Sequence, residues 1–215
     1  MTNNQPMKRI LVYGDSLPWG LVPGSTTFER FPSDIRWPKQ LQNLLGSNYE
    51  VIEECLCART IDSDDLRPGF EGRNGMSYIT PCLDSHDPID IVIVSLGLNE
   101  IKSIFEWTPK QVSEKMKKLI EVIKNRKPNF HQTTPRIILL TQPEVREGTG
   151  FWGDLWVGSG PKSIELAKEY RKLSTELNIE LCDIFNVVKT GKDGVHLDES
   201  AHRQTATEVA KLFDQ

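Results

Sequence analysis

Cysteine and histidine are scarce in this chain, four of each. Cys55 and Cys57 stand one residue apart, closer than a zinc knuckle allows, and no His pair accompanies them. Cys82 and Cys182 sit in apolar surroundings. The thiols read as structural, which suits a reducing compartment and excludes a disulfide scaffold. No Lys/Arg run is long enough to track a phosphate backbone, and the formal net charge is -4, so a general nucleic-acid binder is excluded. No apolar stretch could span a bilayer, and the first residues lack a basic-then-apolar leader, which points to the cytoplasm. A glycine-rich phosphate loop and metal-ligand spacings are also missing, so no cofactor and no metal are expected. There is no repeat, low-complexity tract or domain-sized linker. The 215 residues, 38% hydrophobic and 26% charged, suit a single ordered domain spanning 1–215.

What is present is an alternation of short apolar runs and amphipathic stretches. Strands are predicted at Arg9–Gly14, Tyr49–Glu54, Ile89–Leu96, Arg136–Thr141 and Glu180–Asp183. Helices are predicted at Trp37–Gly46, Asn74–Leu83, Pro109–Lys124, Lys162–Leu177 and Ser200–Phe213. In the first helix Trp37, Leu41, Leu44 and Leu45 share a face; in the third, Val112, Met116, Leu119, Ile120 and Ile123 do. The alternation predicts an α/β fold, a three-layer α/β/α sandwich around a parallel sheet. Pro143–Pro161 reads as a long irregular segment, and Asp62, Asp64 and Asp65 as a solvated acidic loop.

Polar residues follow three of the apolar runs. Gly14-Asp15-Ser16 ends the first, the turn around Ala58 follows the second, and Gly97-Leu98-Asn99 ends the third. Parallel sheets gather such ends along one edge, where ligands bind. Asp193-Gly194-Val195-His196 lies near the end of the sequence. Together these supply what acyl transfer needs. Ser16 is the candidate nucleophile, His196 its candidate base, and Asp193 the carboxylate that would orient the imidazole. The Ser16 and Ala58 amides and the Asn99 side chain are the donors for a developing oxyanion. Each piece alone has a plainer reading: Asp15 or Ser16 as a helix cap, Asn99 as a turn residue, Asp193 and His196 as the first turn of a helix. His202 reads as a surface or packing residue, and His86 and His131 as solvent-facing.

The conjunction resembles the SGNH hydrolase superfamily, also called GDSL esterases/lipases, nearest its bacterial arylesterase and acyltransferase branch. The resemblance runs through Gly14-Asp15-Ser16-Leu17, Trp19-Gly20, Arg30-Phe31, Arg36-Trp37, Val51-Ile52-Glu53-Glu54, Ala58-Arg59-Thr60, Asn74-Gly75, Leu96-Gly97 with Asn99, and Asp193-Gly194 with His196. It implies a five-stranded parallel sheet in flavodoxin-like order. It also implies a Ser16–His196–Asp193 triad and an oxyanion hole of Ser16, Ala58 and Asn99. Asp15, Trp19, Leu98, Trp152 and Val195 are expected to touch the substrate. The implied reaction is hydrolysis of small short-acyl esters, with acyl transfer to alcohols alongside it. Departures from the family pattern are Cys55-Leu56-Cys57 where Gly-Leu-Ser is common, and Glu100 where aspartate is common. Both give weight to a second reading, a non-catalytic ligand-binding domain with an altered site. Trp19, Phe151, Trp152 and Trp156 suit either a pocket lining or a subunit contact in a homo-oligomer.

Overall fold

The computed structural model describes residues 6–127, 134–146, 150 and 152–213. Five parallel strands form one sheet: β1 (Lys8–Gly14), β2 (Tyr49–Cys55), β3 (Ile91–Ser95), β4 (Arg136–Leu140) and β5 (Glu180–Cys182). Their order is β2-β1-β3-β4-β5, with the reversal at β1. The helices are α1 (Ser16–Trp19), α2 (Trp37–Leu45), α3 (Gly75–His86), α4 (Pro109–Asn125), α5 (Ser159–Leu177) and α6 (Glu199–Ala210). α2 packs on α6 over one face, while α4 packs on α3 and α5 over the other. The predicted architecture and strand order are those observed.

β3 is buried at every residue because helices cover both faces of the sheet, hence its unbroken run of branched side chains. The five apolar residues predicted along α4 are all buried. This helix opens with a capping box, in which Thr108 and Gln111 exchange side-chain bonds with each other's backbone, and with Pro109 in its first turn. In α2, Trp37 and Leu41 are buried under α6, but Leu44 is 58% exposed and does not belong to the buried face.

Several boundaries differ from expectation. Residues 16–19 form a one-turn helix absent from the predicted elements, because the Asp15 carboxylate accepts from Leu17 N at 3.0 Å and caps it. The segment at 143–161 is only partly irregular. Gly153–Trp156 is a 3-10 turn, and α5 already starts at Ser159. Pro161 is accepted there because first-turn N–H groups have no partner within the helix. α3 runs on to His86, whereas α6 ends at Ala210 rather than Phe213.

The acidic loop is not wholly solvated. Asp65 is buried, with Oδ1 and Oδ2 on Arg67 Nε and Nη2 at 2.8 and 2.5 Å. His86 is half-buried against Glu54, at 2.6 Å. His202 is fully buried, its Nδ1 accepting from Trp37 N at 3.3 Å. Burial pushes that imidazole down to about 4; Arg36 acts in the same direction and Asp198 opposes it. His131 and Phe151 lie outside the described residues.

Candidate active site

The strand register aligns the ends of three strands. Gly14 is paired with Cys55 on one side and Ser95 on the other. Ser16, Ala58 and Asn99 follow this row by two, three and four residues, so all three arrive at the same sheet edge. Gly14 has no side chain because a Cβ would meet Pro18 Cγ at 2.2 Å. The bare glycine therefore lets Pro18 and α1 sit close against the strand end, where Ser16 stands.

The last loop reaches the same edge. His196 Nε2 lies 3.2 Å from Ser16 Oγ, and His196 Nδ1 lies 2.7 Å from Asp193 Oδ2. Asp193 Oδ1 accepts from the amides of Val195 and His196 at 3.0 and 2.9 Å, and Oδ2 also accepts from Gly24 N at 2.9 Å. The Asp-x-x-His spacing thus closes a turn around the carboxylate. This turn is not the start of α6, which is capped separately by Asp198. Burial works to raise the Asp193 carboxyl, but His196 and the two amides outweigh it and hold the group well below the usual range. Arg146 ties the loop down, its Nη2 donating to Thr190 O at 2.8 Å and Gly191 O at 2.5 Å. Nothing in the local sequence around Arg146 signals that role.

Ala58 has φ +63°, a left-handed conformation rare for a residue with a side chain. It occupies the third position of the Leu56–Arg59 turn, closed by Arg59 N donating to Leu56 O at 3.0 Å, where a type II geometry requires positive φ. Among the described residues, neither the Ser16 nor the Ala58 amide has an acceptor. Asn99 Nδ2 donates to Arg59 O at 2.9 Å and lies 3.4 Å from Asp15 Oδ2. Gly97, with φ +110°, admits no side chain: a Cβ would fall 2.1 Å from Tyr170 Oη, the hydroxyl that donates to Leu96 O.

A small cavity of about 40 Å³ opens over these groups. Ser16, Ala58, Asn99 and His196 line it, with Cys57, Lys102, Arg67, Leu155 and Trp156 around them. Phe28, Phe70 and Trp152 form an aromatic rim, with ring centroids 6.1 and 5.7 Å apart across Phe28. A larger groove of about 450 Å³ adjoins it, lined by Trp19, Leu56, Arg73 and, shared with the cavity, Phe28, Cys57 and Phe70. Of the residues expected to touch substrate, Trp152 lines the cavity and Trp19 the groove. Asp15, Leu98 and Val195 line neither; all three are buried beneath the site. Cys57, a departure from the family pattern, borders both spaces, and burial pushes its thiol up to about 12.

Charge accumulates under the site. Burial raises Asp15 to about 7, against the Leu17 amide, Lys102 and Arg59, which lower it. Glu100, the other departure, is raised by burial to about 7 although the Ile61 amide donates to its Oε1; among the described residues its Oε2 has no hydrogen-bond partner. Burial, then Arg67, pushes Lys102 down to about 8. Lys102 and Arg67 were not legible as site residues. Lys102 is brought to the cavity by the 3-10 turn Asn99–Ile101, which folds the chain back directly after Asn99.

Away from the cavity, the fold gathers a group that sequence spacing did not show. Ligand atoms of Glu54, Cys82 and His86 lie within 4.8 Å of one another. His86 Nε2 is hydrogen-bonded to Glu54 Oε1, and the Arg59 guanidinium stands beside them, donating to Glu54 O and lying over the Tyr78 ring. The neighbouring cation favours a hydrogen-bonded cluster over an ion site.

A hydroxyl, an imidazole and a carboxylate in line at the edge of a parallel sheet, with the hydroxyl following the first strand, characterise the carboxylic ester hydrolases of the SGNH superfamily. The chain belongs to the GDSL-like lipase/acylhydrolase family, whose sequence profile matches residues 12–204. Its fold is similar to that of an aryl esterase from M. smegmatis, with a TM-score of 0.90 and 35% identity over 96% of this chain and 98% of that one. It is similar also to a carbohydrate acetylesterase from Sinorhizobium meliloti, with a TM-score of 0.90 and 31% identity over 96% and 98% of the two chains. A lipolytic protein of the G-D-S-L family from Veillonella parvula, 15% identical, shares the fold at a TM-score of 0.70 over 97% and 99%. No curated protein matches the chain. No helix among the described residues is long and apolar enough to cross a membrane.

Proposed function

We propose that the protein cleaves small, short-acyl carboxylic esters through an acyl-enzyme on Ser16. The observation that carries this reading is His196, held at 2.7 Å by Asp193 and 3.2 Å from Ser16 Oγ. Ser16 Oγ attacks the ester carbonyl carbon as its proton passes to His196 Nε2. The negative charge on the carbonyl oxygen is met by the Ser16 and Ala58 amides and by the Asn99 side-chain amide, whose longer 3.4 Å bond to Asp15 gives way to the substrate. The bond to the leaving alcohol breaks, and His196 returns the proton to that oxygen. A water then attacks the acyl carbon, gives its proton to His196, and the carboxylic acid leaves as Ser16 regains its hydrogen. An alcohol in place of water yields a new ester, and the apolar aromatic rim supports that transfer by limiting water.

The small cavity supports a short acyl group, and the adjoining groove an alcohol of some size. The aryl and carbohydrate esters suggested by the similar enzymes fit this division. The single sheet and continuous core support one catalytic domain. The four unbridged thiols support action in the cytoplasm. The aromatic side chains at the mouth of the site suit a subunit contact in a homo-oligomer, which sedimentation would read.

The test is turnover of p-nitrophenyl acetate, together with labelling by an organophosphonate. Wild type should hydrolyse the ester and take up one label at Ser16, and Ser16→Ala should do neither. Wild-type turnover in Ser16→Ala would overturn the reading.

A further inference from the structure

Lys102 is 6% exposed and lines the cavity that holds Ser16, Asn99 and His196. Its Nζ lies 5.1 Å from the centre of the Trp156 ring. Among the described residues no carboxylate, carbonyl or hydroxyl stands within hydrogen-bonding distance of that ammonium. A lysine near a surface ordinarily extends its head into water. This one ends against an aromatic face inside a largely apolar cavity, and an ammonium so placed is costly unless something pairs with it.

The surrounding charges do not meet the need. Asp65 attracts Lys102, but both its oxygens are taken by Arg67. Asp15 and Glu100 attract it from beneath; each already accepts from a backbone amide, of Leu17 and Ile61. Arg67 repels it and lines the same cavity. After the Arg67–Asp65 pair is set aside, a positive charge remains facing the space next to the reactive hydroxyl.

We infer that this wall is a subsite for an anionic group on the ester substrate, with the Lys102 ammonium as its direct partner and Arg67 as a second donor. The inference rests on the ester-hydrolase reading, since the scissile carbonyl must occupy the same cavity. A carboxylate a few atoms from the ester bond fits the limited space. A long neutral acyl chain would strip water from the ammonium and leave it unpaired, so such esters are poor substrates. The carboxylate can belong to the acyl chain or to the alcohol, and the test separates the two.

Specificity constants are to be measured on two matched pairs. p-Nitrophenyl hemisuccinate against p-nitrophenyl butyrate probes the acyl side. para-Acetoxybenzoate against phenyl acetate probes the alcohol side. Wild type should prefer the charged member of one pair, and Lys102→Met should lower that charged-to-neutral ratio by about tenfold or more, with Lys102→Arg recovering much of it. Unchanged ratios in Lys102→Met for both pairs, or no charge preference in wild type, would overturn the inference. Should Lys102→Met fail to fold, inhibition of wild type by succinate and benzoate against their amides decides: equal inhibition by acid and amide would also overturn it. Acetate turnover with flat charge ratios strikes this inference alone. No turnover of any ester, charged or neutral, strikes the ester-hydrolase reading beneath it.

Discussion

The two walls of the site are built on opposite terms. On the Asp193–His196 side every charge is met: the carboxylate accepts from three amides and an imidazole, and its loop is fixed by Arg146. On the Asn99–Lys102 side charges are buried without full partners. Among the described residues Glu100 Oε2 and the Lys102 ammonium have no hydrogen-bond partner, and Asp15 is pushed up to about 7. A saturated wall holds one geometry, as a proton relay requires. An unsaturated wall stores electrostatic demand that a ligand can meet, at some cost in stability when empty.

The largest break in this contrast comes from the saturated wall. Asp193→Asn keeps the shape of the loop but lets the imidazole take the wrong tautomer, and turnover of an aryl acetate should fall roughly ten-thousandfold. A fall of severalfold only would mean that the carboxylate serves the loop and not the base. Asn99→Ala comes next. Removing one oxyanion donor should lower kcat by about a hundredfold, with little change in KM, and unchanged kcat would remove Asn99 from the mechanism.

Stability against pH separates the walls by sign. The Asp193 carboxyl is held below its ordinary range, so its contribution is present at neutral pH and is lost only in strong acid. Glu100 is held above its ordinary range, to about 7, so the folded state binds its proton more tightly than the unfolded chain does. Its contribution is present in mild acid and is lost as pH rises toward about 7, at up to about 3 kcal/mol. Chemical unfolding of Glu100→Gln should show a flatter stability profile than wild type across that window. Parallel profiles would mean that Glu100 is not the titrating group. His202 sets the opposite limit in acid: its imidazole, pushed down to about 4, makes the fold lose stability as pH falls from the ordinary imidazole value toward about 4.

The smallest effect is at Ala58. Ala58→Gly removes a side chain from a left-handed position and should leave stability within about 1 kcal/mol of wild type. Ala58→Val should cost far more, since a branched side chain tolerates positive φ poorly. Thermal unfolding of the pair, with turnover beside it, shows whether the turn or the side chain matters at this donor.

Much of this was legible beforehand. β1 and β3 announce themselves as apolar runs stopped at Asp15 and Gly97, and α4 by its periodic apolar face. The blocks around Ser16, Ala58, Asn99 and Asp193–His196 were found by residue type and order. Asp15 reads from the sequence as either cap or substrate contact, and in the fold its carboxylate caps α1. The aromatic rim was half seen: Trp152 was named, but Phe28 and Phe70 come from loops whose approach to each other no periodicity records. Leu98 and Val195 stand next to site residues in sequence yet pack in the core, because the chain turns at both places, Leu98 with helical dihedrals ahead of the 3-10 turn and Val195 in the bend closed on Asp193.

The sequence alone determined the layer architecture and the residues equipped for acyl chemistry. Those depend on local pattern and intrinsic reactivity, which residue types carry with them. Only the tertiary structure decided the electrostatic character of each wall. Whether a charge is paired depends on which distant groups are brought within a few ångströms: Gly24 to Asp193, Arg67 to Asp65, and, among the described residues, no acceptor to Lys102. Coulomb energies in a desolvated cavity turn on such separations, and separation is a property of the packed chain.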